Sequence, residues 1–348
     1  MQVENISQWS QFISNSFDDE EIQASLIAYI EKLLAKKSVI IFEVDHLAKL
    51  LGIKNSILRR MINHTEAFYY KFTIPKKSGG EREISAPYPI LLMAQHWINE
   101  HLLSGLPIHS AATGFIKKKS IKDNATVHIN SKHILKLDLK NFFPSIGIKR
   151  VIAVFHSMGY TPKMSYYLAS LCCLNGTLPQ GAPTSPSLSN IIAKRLDYRI
   201  AGFARKNGLK YTRYADDIVL SGEKIDVTIL SFLRRIITAE GFTVKEEKTR
   251  FFKGYGQRII TGLSISSNKI TIPRAQKRSI RQELYYIKKY GLRDHIERMN
   301  IDDVIYIYRI FGYLQFWKSI EPDNKFVLQS IALMKQIMST CPNIDSTE

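Results

Sequence analysis

Apolar and polar residues alternate in a short stretch near the middle of the chain. In HILKLDL, leucines at every second position alternate with Lys136 and Asp138. Alternate residues of a β-strand share one face. We therefore predict a strand over 133–139 whose leucines face a core, while Asp138 faces the opposite side, toward a helix layer or a cleft. A second stretch, 210–221, is rich in β-prone residues and is predicted to form a strand, a turn and a strand.

Most of the remaining chain shows apolar residues at helical spacing. Residues 1 to about 66 are predicted to be helical, with two short helices over 42–62 joined at Gly52. That pair fits a helix-turn-helix or a plain helical hairpin packed on the main body, and we favour the hairpin. A β-hairpin is predicted over 71–86. The other predicted segments are helices over 87–103, 147–174 and 185–204, a basic loop over 114–130, and a helical, basic and aromatic region after about 270.

The acidic pair Asp216 and Asp217 lies inside the second β-prone stretch, where neighbouring carboxylates repel each other and are costly to bury. A tight turn that directs both toward a divalent cation removes that cost. Two Mg²⁺ ions, about 3.5–4 Å apart, can activate an attacking hydroxyl and stabilise a leaving pyrophosphate. This chemistry needs acids from more than one strand, and Asp138 is available as the third. By itself, the pair also fits an exposed hairpin tip, where Asp is favoured.

Charge and composition narrow the choice of partners. The net charge is +18 and the pI is about 9.6, so we expect a polyanion, either nucleic acid or a membrane surface. No apolar run approaches the roughly 18 residues of a spanning helix, and the N-terminus has no apolar signal segment. We therefore expect no membrane partner and a cytoplasmic protein. Three cysteines without a CxxC pair argue against a disulfide framework and a zinc site.

Seven stretches together resemble the reverse transcriptases of bacteria, and most closely those of retrons. They occur in the family's order between residues 74 and 265, and they are IPKKSGGEREISAP, NATVH, LDLKNFFPS, LPQGAPTSPSLSN, YTRYADD, VKEEKTRFF and IITGLSI. The family's VTG element stands here as Ile260-Thr261-Gly262. The resemblance implies an α+β, right-hand polymerase fold with fingers, an antiparallel-sheet palm and a helical thumb. The implied segments are an N-terminal helical region at 1–66, fingers at 67–130 with interleaved helices at 145–180, a palm with the catalytic motifs at 131–265, and a basic helical thumb at 266–348.

The resemblance assigns the catalytic role to the three acids. Asp138 matches the family's first catalytic acid, and Asp216 and Asp217 match the acidic pair of the YxDD motif. Together with Leu139, they are expected to hold two Mg²⁺ ions, where a dNTP and a primer 3′-hydroxyl react.

Two cations and an aromatic ring are expected around the nucleotide. Phe143 matches a residue under the sugar that excludes a 2′-hydroxyl and so selects dNTP over NTP; the alternative is a core phenylalanine, as we expect for Phe142. Lys76 and Arg82 match residues that contact the triphosphate, and Lys77 could replace Lys76. Without the resemblance, these cations would be read as a solvated charged turn.

Gln180 and Lys248 complete the expected nucleotide site. The amide of Gln180 could hydrogen-bond to sugar or phosphate, with Gly181 permitting close approach; the alternative is a loop that only begins a helix. Lys248 matches a family lysine near the leaving pyrophosphate, to which it could donate a proton, and it also fits an ordinary surface charge.

RNA contacts are expected in two places. Asn124 and His128 of NATVH, with Thr261 and Gly262, match retron elements assigned to RNA-facing structure, although a lone histidine is usually structural. After Pro273, a row of cations on one helical face precedes several tyrosines and suits an RNA backbone and unpaired bases. These cations are Arg274, Lys277, Arg278 and Arg281. A solvated face with tyrosines packed inward is the alternative.

The resemblance also implies partners. Similar proteins bind a dedicated structured non-coding RNA as template and primer, start synthesis at the 2′-hydroxyl of a guanosine, and retain the branched product, msDNA. They serve in anti-phage defence with an effector, expected here as a separate polypeptide. Another bacterial reverse transcriptase, of intron or abortive-infection type, is the alternative, although the region after 265 shows no His/Cys nuclease pattern. A non-catalytic RNA-binding scaffold is a third reading, against which all three acids argue.

Overall fold

The computed structural model describes residues 6–76, 79–254, 256, 258–266 and 268–340. Helices dominate the fold, before, between and after the strands. In chain order they are α1 (Ile6–Ser16), α2 (Glu20–Ala35), α3 (Val44–Leu51), α4 (Asn55–Asn63), α5 (Pro89–Ile98), α6 (Ile121–Thr126), α7 (Ile148–Ser157), α8 (Pro162–Cys172), α9 (Thr184–Ile192), α10 (Lys194–Lys206), α11 (Val227–Ala239), α12 (Arg274–Tyr290), α13 (Leu292–Arg298), α14 (Tyr306–Ile320) and α15 (Lys325–Thr340).

The strands of the described residues form three antiparallel sheets. A two-stranded sheet pairs β1 (Tyr69–Pro75) with β2 (Glu81–Pro87). The four-stranded sheet, which we call the palm sheet, has the order β4-β5-β3-β6 and consists of β3 (His133–Asp138), β4 (Lys210–Tyr214), β5 (Asp217–Gly222) and β6 (Arg250–Lys253). The third sheet has the order β7-β8-β9 and consists of β7 (Arg258–Ile260), β8 (Leu263–Ser266) and β9 (Lys269–Thr271).

The two faces of β3 belong to two different cores. Leu135, Leu137 and Leu139 are buried in the larger core, which also holds side chains from α1–α5 and α7–α11. On the opposite face, Ile134 packs into a smaller core with the β7–β9 sheet and the C-terminal helices, including the fully buried Trp317. The predicted orientation of the three leucines is therefore confirmed. A mixed α and antiparallel β architecture of this kind confirms the predicted fold class.

The N-terminal helices pack on the main body. Helix α3 ends at Gly52, whose φ of 65° is favourable for glycine, and α4 then packs against α8. The favoured helical hairpin is thus what the structure contains. The predicted β-hairpin is also present, and Lys77 and Ser78 in its turn lie outside the described residues. Among the described residues, no helix combines the length and apolar character required to cross a bilayer.

One predicted loop contains a helix. Residues 114–130 include α6, which begins with a capping box: the Ser120 side chain accepts from the Asp123 N–H, and the Asp123 carboxylate accepts from the Ser120 N–H. That exchange satisfies two free N–H groups and makes a short helix stable at its start. The many lysines around it hid this signal. The subdomain boundaries given above stay predictions.

Candidate active site

Two strands of the palm sheet bring acids from distant parts of the chain side by side. Strand β3 ends at Asp138, β5 begins at Asp217, and the antiparallel register pairs the two residues directly. Directly opposed side chains lie on the same face of a sheet, with Cβ atoms about 4.5–5.5 Å apart. The register follows from the alternation in β3, because a shift by one residue would turn Asp138 into the core.

Asp216 lies in the two-residue turn between β4 and β5. Ala215, the first residue of this turn, has a φ of 55°, in the left-handed region that a residue with a Cβ atom adopts only at a cost. The N–H of Leu139 donates to the carbonyl oxygen of Asp216 at 3.0 Å. This bond ties the turn to the end of β3, so the three acids belong to one hydrogen-bonded unit.

Two lysines neutralise two of the three carboxylates. The Nζ atom of Lys248 lies 3.0 Å from Oδ2 of Asp138, and that of Lys136 lies 3.2 Å from Oδ2 of Asp217. Lys136 is two residues before Asp138 and therefore projects from the same face of β3. The hydrogen bond to Asp138 raises the pKa of Lys248, so this lysine is protonated at neutral pH.

The carboxyl group of Asp216 has a raised pKa. Burial, followed by the charges of Asp138 and Asp217, raises its pKa to about 6. Burial also raises the pKa of Asp217, while Lys136 opposes that shift. Crowded carboxylates in a half-buried position are the electrostatic situation that a divalent cation relieves.

The donor set suits Mg²⁺, although the side chains are not yet arranged around an ion. Within the described part of the chain, no three acidic, histidine or cysteine side chains surround a common point that could hold a metal. Lys248 and Lys136 each hold one carboxylate instead. An ion would therefore compete with the lysines for Asp138 and Asp217. Leu139 could add only its main-chain carbonyl oxygen, because its side chain is apolar and buried.

Aromatic rings lie beside the acids. Phe142 is buried and packs on Phe242, as expected for a core residue. Phe143 is half-buried, and its ring centroid lies 6.1 Å from that of Phe115, which in turn is 6.2 Å from Tyr214 of the YADD segment. Phe115 is 47% exposed. No sequence pattern points to Phe115, because its closeness to Phe143 depends on the fold.

The loop around Gln180 packs against β2. The carbonyl oxygen of Gln180 accepts from the N–H of Ser85 at 2.9 Å. Gly181 has a φ of 134°, and a Cβ atom there would lie 2.4 Å from the carbonyl oxygen of Ser85. The close approach that this glycine permits is therefore to a strand of the protein. The side chain of Gln180 is half-buried.

Lys76 and Arg82 lie at the far end of the β1–β2 hairpin. Arg82 pairs with Ile74 in the register, and the N–H of Lys76 donates to the carbonyl of Gly80 and so closes the turn. Both cationic side chains are exposed. Their contact with a triphosphate stays a prediction, as does the possible substitution by Lys77, which lies outside the described residues.

The structure disagrees with the expected contact of Asn124 and His128 with RNA. Both are fully buried, so their side chains cannot face RNA in this structure. The His128 ring nitrogens lie 2.7 Å from the hydroxyls of Ser221 and Thr212, in β5 and β4. Burial lowers the pKa of His128 to about 3, so the ring is neutral. The NATVH segment therefore fastens α6 to the palm sheet.

Thr261 and Gly262 form the turn between β7 and β8. Their φ angles are 45° and 83°, and a left-handed conformation is unusual for a β-branched residue. The hydroxyl of Thr261 lies 3.4 Å from both Asn124 Nδ2 and the carbonyl of Ile121. Asn124 thus supports this turn from inside, while Gly262 is exposed at its tip.

The cationic row on α12 divides into two kinds of residue. Arg274, Arg278 and Arg281 are exposed. Lys277 is not available in the same way: its Nζ atom lies 2.6 Å from a carboxylate oxygen of Glu321 and 5.4 Å from the centre of the Trp317 ring. Lys277 thus joins α12 to the end of α14, and its expected contact with RNA stays a prediction.

The comparison with known proteins agrees with this arrangement. Residues 74–281 match the family model described as reverse transcriptase (RNA-dependent DNA polymerase). An antiparallel sheet with acids at the ends of two paired strands, in a chain with this match, defines an RNA-directed DNA polymerase of the reverse transcriptase class.

Named relatives make the assignment narrower. The chain is 40% identical to the retron Ec86 reverse transcriptase of Escherichia coli, over 66% of this chain and 73% of that protein. It is 33% identical to the retron Mx65 reverse transcriptase of Myxococcus xanthus, over 80% of this chain and 69% of that protein. The chain therefore belongs to the reverse transcriptase family and, within it, to the retron reverse transcriptases.

Two solved structures with a weak likeness to this chain are a telomerase complex and a viral reverse transcriptase complex. A telomerase from Candida albicans in complex with an RNA fragment covers 79% of this chain and 64% of its own, at 11% identity and a TM-score of 0.42. A foamy viral protease-reverse transcriptase in complex with double-stranded DNA covers 88% and 46%, at 17% identity and a TM-score of 0.44.

Proposed function

We propose that this retron reverse transcriptase copies a structured non-coding RNA into DNA that stays joined to it as msDNA, at a site where Asp138, Asp216 and Asp217 hold two Mg²⁺ ions. The observation that carries the proposal is the direct pairing of Asp138 with Asp217, with Asp216 in the adjoining turn. Two acids from β5 and its turn and one from β3 provide ligands from both sides, which a two-ion site requires.

The residues of the site would each have a separate role in nucleotide addition. When bound, the two Mg²⁺ ions would activate the primer hydroxyl and stabilise the leaving pyrophosphate. Lys248 would move from Asp138 toward the pyrophosphate, to which its ammonium group could donate a proton. The ring of Phe143 would lie under the sugar and exclude a 2′-hydroxyl. Lys76 and Arg82, at the hairpin tip, would close over the triphosphate, and Gln180 would contact sugar or phosphate.

The RNA would be held mainly by the thumb side of the molecule. Exposed Arg274, Arg278 and Arg281 on α12 suit a phosphate backbone. The tip formed by Thr261 and Gly262 suits close approach of a nucleotide, because glycine presents its main chain without a side chain. Synthesis would start from the 2′-hydroxyl of a guanosine in the same RNA. A cytoplasmic setting and a role in anti-phage defence with an effector protein complete the proposal.

Nucleic acid that co-purifies with the protein tests the product. The protein would be expressed with the DNA that flanks its gene, as native chain, Asp216→Asn and the control Asp302→Asn. Asp302 is an exposed acid before α14. We expect the native and control proteins to carry DNA that stays joined to RNA under denaturing conditions and is shortened by RNase as well as DNase. Asp216→Asn should carry RNA alone. Separable strands in the native sample, or linked DNA with Asp216→Asn, would refute the proposal.

A further inference from the structure

A fully buried ion pair lies beneath the turn that carries Asp216. Arg213 of β4 and Asp197 of α10 have no exposed surface, and the guanidinium donates through Nε and Nη2 to the two carboxylate oxygens, at 2.7 Å each. Tyr211 donates its hydroxyl to the same carboxylate at 2.6 Å. Desolvation offsets most of the attraction in such a pair, so apolar residues could serve stability equally well. A role beyond stability lies in the other contacts of the guanidinium.

The third guanidinium nitrogen reaches the catalytic turn. Nη1 of Arg213 donates to the main-chain carbonyl oxygen of Ala215 and to the side-chain oxygen of Asn190, at 3.1 Å each. All three nitrogens of the group are engaged, in a planar fork whose geometry is fixed. The guanidinium thereby connects α10 and α9 to the peptide that leads into Asp216.

That peptide is strained. Ala215 has a φ of 55° at the first central position of a two-residue turn, where glycine is usual. The conformation costs roughly 1–2 kcal/mol for a residue with a Cβ atom, so surrounding contacts must hold it. Gly114 packs against the other side of the turn, where a Cβ atom would lie 2.8 Å from the Ala215 nitrogen. Asn190 donates to the Gly114 carbonyl at 2.8 Å and so joins both supports.

We propose that Arg213 is a positioning residue for the two acids that follow it in the chain. By holding the carbonyl of Ala215, it fixes the strained peptide and so positions the main chain from which both carboxylates extend. The inference rests on the proposed role of Asp216 and Asp217 as ion ligands. A lysine in place of Arg213 would still pair with Asp197, but a single ammonium group lacks the fork that also reaches Ala215.

Two substitutions around Asp197 form a matched pair. Arg213→Lys keeps the charge but loses the fork, whereas Tyr211→Phe removes a hydrogen bond to the same carboxylate and leaves the turn untouched. We expect Arg213→Lys to raise the Mg²⁺ concentration for half-maximal extension of oligo(dT) on poly(rA) by about 10- to 100-fold, as for other groups that orient metal ligands. The KM for dTTP should stay within about twofold, because the turn does not hold the base. Mn²⁺ binding, measured by electron paramagnetic resonance without substrate, should weaken by a similar factor. Tyr211→Phe should match the native protein in each assay.

Circular dichroism and thermal unfolding establish first that the variants fold. If Arg213→Lys does not, the double variant Asp197→Asn with Arg213→Gln takes its place, since it leaves no unpaired charge buried, and the same shift is expected. A folded variant with native Mg²⁺ dependence and Mn²⁺ affinity would overturn the inference. Loss of folding in both variants would overturn it too, since the pair would then serve folding alone. Failure of the proposed function is a different result: Asp216→Asn would extend primers as the native protein does.

Discussion

At the scale of single residues, Asp216 is where stability and function oppose each other. Its pKa is raised to about 6 by burial and by the two neighbouring acids, above the value of an unfolded chain. Protonation therefore stabilises the folded state. The favourable contribution is fully present below the unfolded pKa of roughly 4 and is lost as the pH rises through about 6. At neutral pH without a divalent ion, the charged carboxylate destabilises the fold.

Removal of this charge should therefore stabilise the metal-free protein. We expect Asp216→Asn to raise the free energy of unfolding at pH 7.5 in EDTA by about 1–2 kcal/mol, with a smaller gain at pH 5. Added Mg²⁺ should stabilise the native chain more than the variant, because the ion binds the folded state. Chemical unfolding with and without Mg²⁺, with Asp302→Asn as control, measures both effects. A variant that is less stable than the native protein at pH 7.5 in EDTA would contradict this account.

The sequence predicts the position of a side chain correctly where that position depends on residues nearby in the chain. The alternation in β3 places Asp138 opposite the leucines, and the register then follows from the core. Burial of His128 was not predictable in this way, because its partners Thr212 and Ser221 are more than 80 positions away. The ion pair between Lys277 and Glu321 was not predictable either, because the spacing of the cations along α12 carries no information about Glu321.

At the scale of elements, β2 and the loop before α9 depend on Gly181. A Cβ atom at this position would lie 2.4 Å from the Ser85 carbonyl oxygen and 3.0 Å from Ile84 Cγ2. The carbonyl cannot easily retreat, because the neighbouring N–H of Ser85 is bonded to Gln180. The glycine is therefore required by the packing of the β1–β2 hairpin as well as by its own backbone angle.

Alanine in place of Gly181, compared with alanine at a matched glycine, should separate the free-energy cost of steric overlap from that of backbone strain. We expect Gly181→Ala to lower the free energy of unfolding by about 2–4 kcal/mol, from steric overlap together with backbone strain. Gly176→Ala is the matched control, because Gly176 also has a positive φ, of 75°, but open space around it; strain alone should cost about 1 kcal/mol there. Equal losses in the two variants, measured by chemical unfolding, would show that the clash is absent.

Elements were predictable where one strong pattern dominated. The helical N-terminal region and the β1–β2 hairpin follow from periodicity and turn residues, and both are present. Helix α6 was missed because its capping box is only four residues long and stands among lysines. The β7–β9 sheet was also not foreseen, because its strands of three or four residues are too short to show an alternation.

At the scale of the whole molecule, the charge of +18 predicts a strong dependence of RNA binding on salt. Substitution of the exposed Arg278 tests the salt dependence of RNA binding. Substitution of Lys277, which is paired with Glu321, tests the contribution of the ion pair to stability. For a short RNA–DNA hybrid, Arg278→Gln should reduce the slope of log affinity against log salt by about 1, with little change in stability. Lys277→Gln should change the slope less and lower stability by about 1 kcal/mol, because Glu321 loses its charged partner. Fluorescence anisotropy across a salt series and thermal unfolding measure both; equal slopes for the two variants would argue against this division of α12.

The central claim is that acids from two palm strands act together on shared ions. Extension of oligo(dT) on poly(rA) with Mg²⁺ tests it most directly, with native protein, Asp138→Asn, Asp216→Asn, Asp217→Asn and the control Asp302→Asn, all shown to be folded. We predict extension by the native protein and the control, and none by the other three. Extension at the native rate by any one of those three would contradict the claim.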